Sequence, residues 1–269
     1  MGRLAAIALF VVVVLTTGAF KFGPSAAAAP EQETLCDDSS APVNGDVSGN
    51  LEVEENAVCH IHGWTISGDV KVEKGGKLFT RDGTHITGSV KADHPQQVNI
   101  EAQTSIGGSF NVDGTNKGAF GGFICGSQVG GNVSLEGLKS GSWVIGETSD
   151  PQQESNQFDG YDYSGGGSFD PDLSCELPNT ISGSVKITKS DDANRLEVGF
   201  NRITGNVTIS HNDVVNETIE VEGNSIGGSL SCKDNEWDMG TPPITNNGQG
   251  NDVQSNTVSG TETGQCAGL

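Results

Sequence analysis

Basic residues are scarce in this 269-residue chain: 14 Lys and Arg stand against 35 Asp and Glu, for a formal net charge of −21. That imbalance repels nucleic acid and anionic membrane surfaces, and so excludes both as partners. No C-x-x-C occurs among the six cysteines, which disfavours a zinc ribbon or a thioredoxin-like site. G-x-S-x-G, H-E-x-x-H, Walker and G-x-G-x-x-G motifs are also missing. Helical periodicity is absent beyond the N-terminal apolar run.

That run, Leu4 to Leu15, follows a short basic start with Arg3 and leads to small residues at Ala26 to Ala29. The pattern is that of a secretory signal peptide over residues 1–28, with cleavage after Ala28. The run is shorter than the roughly 20 residues of a membrane span, so no span is expected after processing. Processing would remove Arg3 and Lys21 and no acids, leaving a charge of 12 − 35 = −23. An even cysteine count behind a signal peptide implies disulfides and an oxidising, extracellular or cell-wall location.

A seven-residue phrase fills the rest of the chain: apolar, small, Gly, polar, apolar, polar, apolar. It begins at Val47, Ile66, Ile86, Ile106, Val129, Ile181, Ile203, Ile226 and Val258, mostly 19 to 23 residues apart. Its third residue is always Gly, from Gly49 to Gly260. Such a period means stacked units that complete one another's core. In Ile181-Ser182-Gly183-Ser184-Val185-Lys186-Ile187, Ser182 and Gly183 make a corner where a side chain would crowd the backbone. Val185 and Ile187 then form a short half-buried strand. The fifth and seventh positions, such as Val70, Val90 and Phe110 or Val72, Ala92 and Val112, predict two apolar columns inside a tube.

A second apolar pair precedes most copies, as in Val98/Ile100, Leu196/Val198 and Ile219/Val221. Thr84, Thr104, Ser127, Asn179, Asn201, Asn224 and Asn256, each two places before a copy, predict a hydrogen-bonded ladder at one bend. The fold class is therefore all-β: a single-stranded parallel β-helix of about nine coils over residues 45–269, after an N-terminal segment or cap at 29–44. At about 4.8 Å per coil the rod would be on the order of 40 Å long. Two interruptions are expected as loops, an insert at about 149–174 and a Gly-, Pro- and Asn-rich stretch at about 240–250. Glu262 replaces the apolar residue of the last copy, which suggests a cap. Because sequence neighbours are spatial neighbours in a solenoid, Cys36–Cys59, Cys125–Cys175 and Cys232–Cys266 are favoured among the fifteen formal connectivities.

The copies "NTISGSVKI", "NRITGNVTI" and "NSIGGSLSC", with the closing "NTVSGTETGQCAGL", carry a family resemblance. The chain resembles right-handed parallel β-helix proteins of the pectin-lyase-like type, especially small secreted actinobacterial ones of uncharacterised role. The short I-x-G-x-V phrasing is also similar to bactofilins, polymer-forming cytoskeletal β-helices. Bactofilins face the cytoplasm and are not disulfide-rich, so the signal peptide and six Cys speak against that role. The likeness specifies fold far better than function.

Enzymes of the resembled fold use clustered acids and bases on one wall. Asp191-Asp192 resembles one fragment of a polygalacturonase site, but the accompanying G-H-G and R-I-K elements are absent, so the pair reads as a turn. Arg81, Arg195 and Arg202 are candidate lyase bases, and none has an evident acidic cluster beside it in the coil pattern. His60 and His62 would face outward and lack a third metal ligand. Lys71, Lys91 and Lys186 share one outward position and read as a wet strand face. Three glycosylation sequons begin at Asn132, Asn206 and Asn216, the first two as by-products of the phrase.

Any binding activity is expected on the inserted loop, with Asp159, Tyr161, Asp162, Tyr163, Asp170 and Asp172 as the candidate ligand or cation residues. Carboxylates suit calcium and aromatic rings suit sugars; no other cofactor is implied. The expected function is a secreted or cell-wall-associated, non-enzymatic structural or binding module for glycan, matrix or protein. The alternatives are a polysaccharide lyase or hydrolase on the same scaffold, and a self-assembling scaffold.

Overall fold

Residues of alternating polarity need one buried and one wet face, and the chain supplies them by coiling. The computed structural model describes residues 33–36, 45–101, 103–146, 177–215, 219–237, 244–246 and 255–269. The expected signal peptide and most of the 29–44 segment lie outside these residues. All named elements are strands, and every pairing between them is parallel.

Three sheets form the walls of a solenoid. Wall I consists of two-residue strands, from Thr65–Ile66 to Thr257–Val258. Wall II holds ten strands, from Glu33–Cys36 to Glu262–Gly264. Wall III runs from Val58–His62 to Ile244–Thr245. Each phrase begins in wall I and continues into wall II, and the second apolar pair lies in wall III.

The expected nine coils reduce to about seven full turns. The first with a strand in all three walls uses Thr65–Ile66, Val70–Val72 and Lys77–Arg81; the last uses Ser225–Ile226, Leu230–Lys233 and Ile244–Thr245. At the N-terminal end, Val47 makes only an isolated bridge to Ile66. At the C-terminal end, the phrase of Val258 has no wall III strand after it among the described residues. The later coils also gain a short fourth side, where Asp213–Val214 pairs with Glu236–Trp237 and Ala193 bridges Val214.

Both apolar columns of wall II are buried from Leu51 to Leu230 and from Val53 to Cys232. Their register is direct, Val70 facing Val90 and Val90 facing Phe110 in successive coils. Leu78, Val98, Trp143, Leu196 and Ile219 fill the wall III side of the tube. The glycine column has a steric cause. A Cβ on Gly183 would meet Asn132 Oδ1 and the backbone of Gly131, and one on Gly205 would meet Gly183. The Gly183 amide donates to the Gly131 carbonyl at 3.0 Å, and Gly205 to Gly183 at 2.9 Å.

The Asn part of the expected bend ladder forms, while Thr84 and Ser127 donate to main-chain carbonyls and Thr104 pairs with Thr80. Asn179 Nδ2 donates to Asn201 Oδ1 at 3.0 Å, Asn201 to Asn224 at 3.0 Å, and Asn224 to Asn256 at 2.9 Å. Each also donates to a main-chain carbonyl of wall III, such as Asn201 to Ile145 at 2.7 Å. Two further ladders were not expected. Asn212, Asn235 and Gln265 repeat the arrangement beyond wall II. At the corner between walls I and II, the phrase's fourth residue accepts the amide of its successor: Asn50 from Asp69, Asp69 from Ser89, and so on through Asn132, Ser184 and Asn206 to Ser229 and Thr261.

Two disulfides sit at the ends of the rod. Cys36, in the first strand of wall II, bonds Cys59 in the first strand of wall III. Cys232, in the ninth strand of wall II, bonds Cys266 in the C-terminal tail. Cys125 is disulfide-bonded too, while its expected partner Cys175 lies outside the described residues. The tail turns back at the last coil, where Glu262 accepts the Gly268 amide at 3.1 Å and Leu269 packs on the core.

Three substitutions test this architecture by denaturant unfolding. Val185→Asp should cost about 4 kcal/mol or more, since it places an unpaired charge in the column. Gly183→Val should be comparably damaging, whereas Ser182→Val, at the exposed neighbouring position, should cost less than about 1 kcal/mol. Asn201→Leu should cost roughly 2–3 kcal/mol because it orphans buried partners on both sides; an unchanged unfolding midpoint would remove the ladder's structural role.

Candidate functional site

Side-chain parity on wall III decides what the rod presents on that side. Leu196 and Val198 point inward, so Arg195 and Glu197 point out; Ile219 and Val221 likewise turn Glu220 and Glu222 outward. The register then places Glu197 beside Glu220, and Gly199 beside Glu222, on adjacent coils. Acceptor oxygens of Glu197, Glu220 and Glu222 lie within 4.8 Å of one another. Arg195 Nη2 is 2.5 Å from Glu197 and 3.0 Å from Glu220.

The cluster places acids beside Arg195, one of the three arginines for which the coil pattern shows no evident acidic cluster. The R-L-E-V and I-E-V-E alternations set the parity, and the recurring apolar pairs Leu196/Val198 and Ile219/Val221 align the two strands. Their burial is not deducible from spacing alone: outward side chains on a rod are ordinarily wet, yet all four of these residues are buried. If every group is ionised, one guanidinium and three carboxylates give 1 − 3 = −2. Oxygen ligands at this spacing suit a hard divalent cation, and neighbouring carboxylates of which one is protonated suit general acid–base chemistry.

A second polar group lies on the same wall toward the N-terminal end. Gln97, Asn99 and Glu101 are buried on its outer side, with Arg81 at 3.9 Å from Glu101. Asn99 is in register between Phe79 and Phe123. Arg202, the third candidate base, is exposed in wall I.

The other candidates separate plainly. Asp159, Tyr161, Asp162, Tyr163, Asp170 and Asp172 lie outside the described residues. His60 and His62 do face outward, as Cys59 and Ile61 are buried. Their ring centroids lie 6.3 Å apart; His60 stacks on Phe79 at 4.7 Å, and His62 approaches Asp82 at 3.4 Å. Partial burial holds the His62 pKa below its ordinary value, aided by Arg81 and opposed by Asp82. Asp191 and Asp192 are exposed on a bend between walls.

The lysines of wall II are neutralised in pairs. Lys71 contacts Glu73 and Glu52, Lys91 contacts Asp69, and Lys186 shares Glu136 with Lys189. The hydrogen bond from Lys91, reinforced by the Ser89 amide, holds the Asp69 carboxyl below its usual range. Lys189 does the same for Glu136.

No family model, no curated protein and no solved structure matches this chain.

Removing Arg195 should be costly because it withdraws a buried guanidinium from the Glu197 and Glu220 carboxylates. Arg195→Ala is expected to lose about 3–5 kcal/mol, and the loss should persist in high salt because buried pairs are weakly screened. Lys91→Ala, on the exposed face, should lose under about 1 kcal/mol, and less in salt. The lowered pKa of Asp69 means its contribution is complete above the unfolded value of about 3.9 and disappears as pH falls through the folded value. Lys91→Ala should therefore shift the Asp69 carboxyl titration upward by NMR; an unmoved midpoint would deny the pair any effect.

Proposed function

We propose that the chain is an extracellular or cell-wall-associated, non-enzymatic module: a rigid β-solenoid that serves as a structural or binding element for surface polysaccharide or protein. The observation that carries this reading is the bracing of the rod along its whole length. One corner ladder runs unbroken from Asn50 to Thr261, and disulfides sit at both ends. Disulfides persist in oxidising compartments, and a laterally hydrogen-bonded rod presents fixed, repeating faces. The acidic residues Asp159, Asp162, Asp170 and Asp172, with Tyr161 and Tyr163, are the proposed contact for calcium or a glycan.

A second reading is favoured by one specific feature. Arg195 with Glu197, Glu220 and Glu222 on adjacent coils has the composition that polysaccharide lyases and hydrolases of the resembled fold carry on one wall. The two readings separate in a paired experiment on the secreted protein. Glycan-array binding without release of reducing ends or unsaturated products is the expected result. Turnover that is lost in a folded Glu197→Gln variant would establish the enzyme instead.

The location has its own check. Alkylation of the native, exported protein should modify no cysteine, and six alkylatable thiols would refute the oxidising compartment.

A further inference from the structure

The corner ladder between walls I and II sorts the two described sequons from ordinary repeat chemistry. Asn132 and Asn206 both occupy the phrase's fourth position, and both are exposed. Their carboxamides are held by one end only. Asn132 Oδ1 accepts the Ser184 amide at 2.8 Å, and Asn206 Oδ1 accepts the Ser229 amide at 2.8 Å. Neither Nδ2 makes a hydrogen bond in the described structure. A carboxamide is planar, so tying down the oxygen restricts the direction of the nitrogen, and both residues are exposed. The hydroxyl residues that complete the sequons, Ser134 and Thr208, lie on the half-buried outer side of wall II.

We propose that Asn132 and Asn206 are attachment sites for amide-linked oligosaccharide. The proposal rests on the extracellular reading above. The co-reactant is a lipid-linked oligosaccharide diphosphate. Nδ2 attacks the anomeric carbon, a C–N bond forms, and the C–O bond to phosphate breaks. The lipid diphosphate leaves, and Nδ2 gives up one proton to the transferase. The product keeps its carbonyl oxygen, so the ladder bond to Ser184 or Ser229 survives modification. The contrast with Asn201 is instructive: its Nδ2 is spent on Ile145, Gly199 and Asn224 inside the bend, and a sugar there would break the rod. Only the coil of Ser184 separates the two acceptors, so both glycans would rise from one ridge roughly 10 Å apart.

The repeat itself supplies the control. Ser stands at this position in Ser89, Ser109, Ser184 and Ser229, where its Oγ does the same work. Asn132→Ser and Asn206→Ser should therefore remove the acceptor while keeping the ladder. The full chain, carrying Asn216→Gln to silence the third sequon, is secreted from glycosylating eukaryotic cells behind a foreign leader. Peptide mass spectrometry after amidase release of glycans should find Asp at both 132 and 206. Each serine variant should lose one step of gel mobility and keep its thermal midpoint. A secreted, folded protein unmodified at either position overturns the paired assignment. Lost stability in the serine variants would show that the amide nitrogens are structural, and would overturn it as well. A parallel arm keeps the chain's own N-terminus: retention of that form inside the cell would refute the extracellular reading while leaving glycosylation behind the foreign leader as its own result.

Discussion

Everything in this rod depends on how closely one coil can lie on the next at the corner between walls I and II. There the chain turns with backbone stacked on backbone, glycine over glycine. The space is so small that a single added carbon on Gly183 or Gly205 would meet the preceding coil. That contact fixes the rise of every turn, and the rise in turn fixes which side chains meet. Val185 stands on Val133 and under Val207 because the glycines before them are already stacked. The core columns are thus a consequence of the corner as much as a cause of the fold.

Tight corners create a second demand. A bend removes amides and carbonyls from the regular sheet ladder, and buried orphans are costly. The chain meets this with short polar side chains that reach one coil along. Asn is suited to the inner bend because it both accepts and donates, so that Asn201 can serve Asn179, Asn224 and Ile145 together. Ser and Asp suffice at the outer corner, where only an acceptor is needed for the next amide. The change from Thr84 and Thr104 to Asn179 and Asn201 at one bend is a change of donor capacity within the same geometry. Thr84 returns its hydroxyl proton to the carbonyls of Arg81 and Ile61 instead of to a neighbour's side chain.

The periodic part of this design was legible because each element repeats with the coil. The glycine, the two wall II columns and the Asn bend recur at fixed offsets, and one copy explains the others. The outer corner ladder is hidden in the sequence because its members vary among Asn, Asp, Ser and Thr; what recurs through the coils is an oxygen one bond or two from Cβ, which residue names conceal. The phrase count exceeds the turn count because the phrase marks one corner and one wall, whereas a full turn needs a strand in all three; the coil of Val47 has only a bridge in wall I, and that of Val258 has no wall III strand among the described residues. The charged cluster was harder still. Parity alone turns Glu197 and Glu220 outward, but outwardness suggested water, and nothing in the alternation told that Arg195 and its partners would be buried.

That burial bears on what the wall is for. Wall III does not need charge at the position of Glu197: its in-register neighbour one coil earlier is Val144, and Phe123 precedes that. An apolar residue is therefore compatible with the backbone and the register at this face. Burying an arginine with three glutamates carries a desolvation cost that well-packed apolar residues of similar size would avoid. Local choices that work against the simplest stable solution mark places where a sequence answers to something besides folding. On this rod the corners, columns and ladders are each accounted for by stacking. The outer face of wall III around Arg195, Glu197, Glu220 and Glu222 is a place where stacking does not account for the residues present.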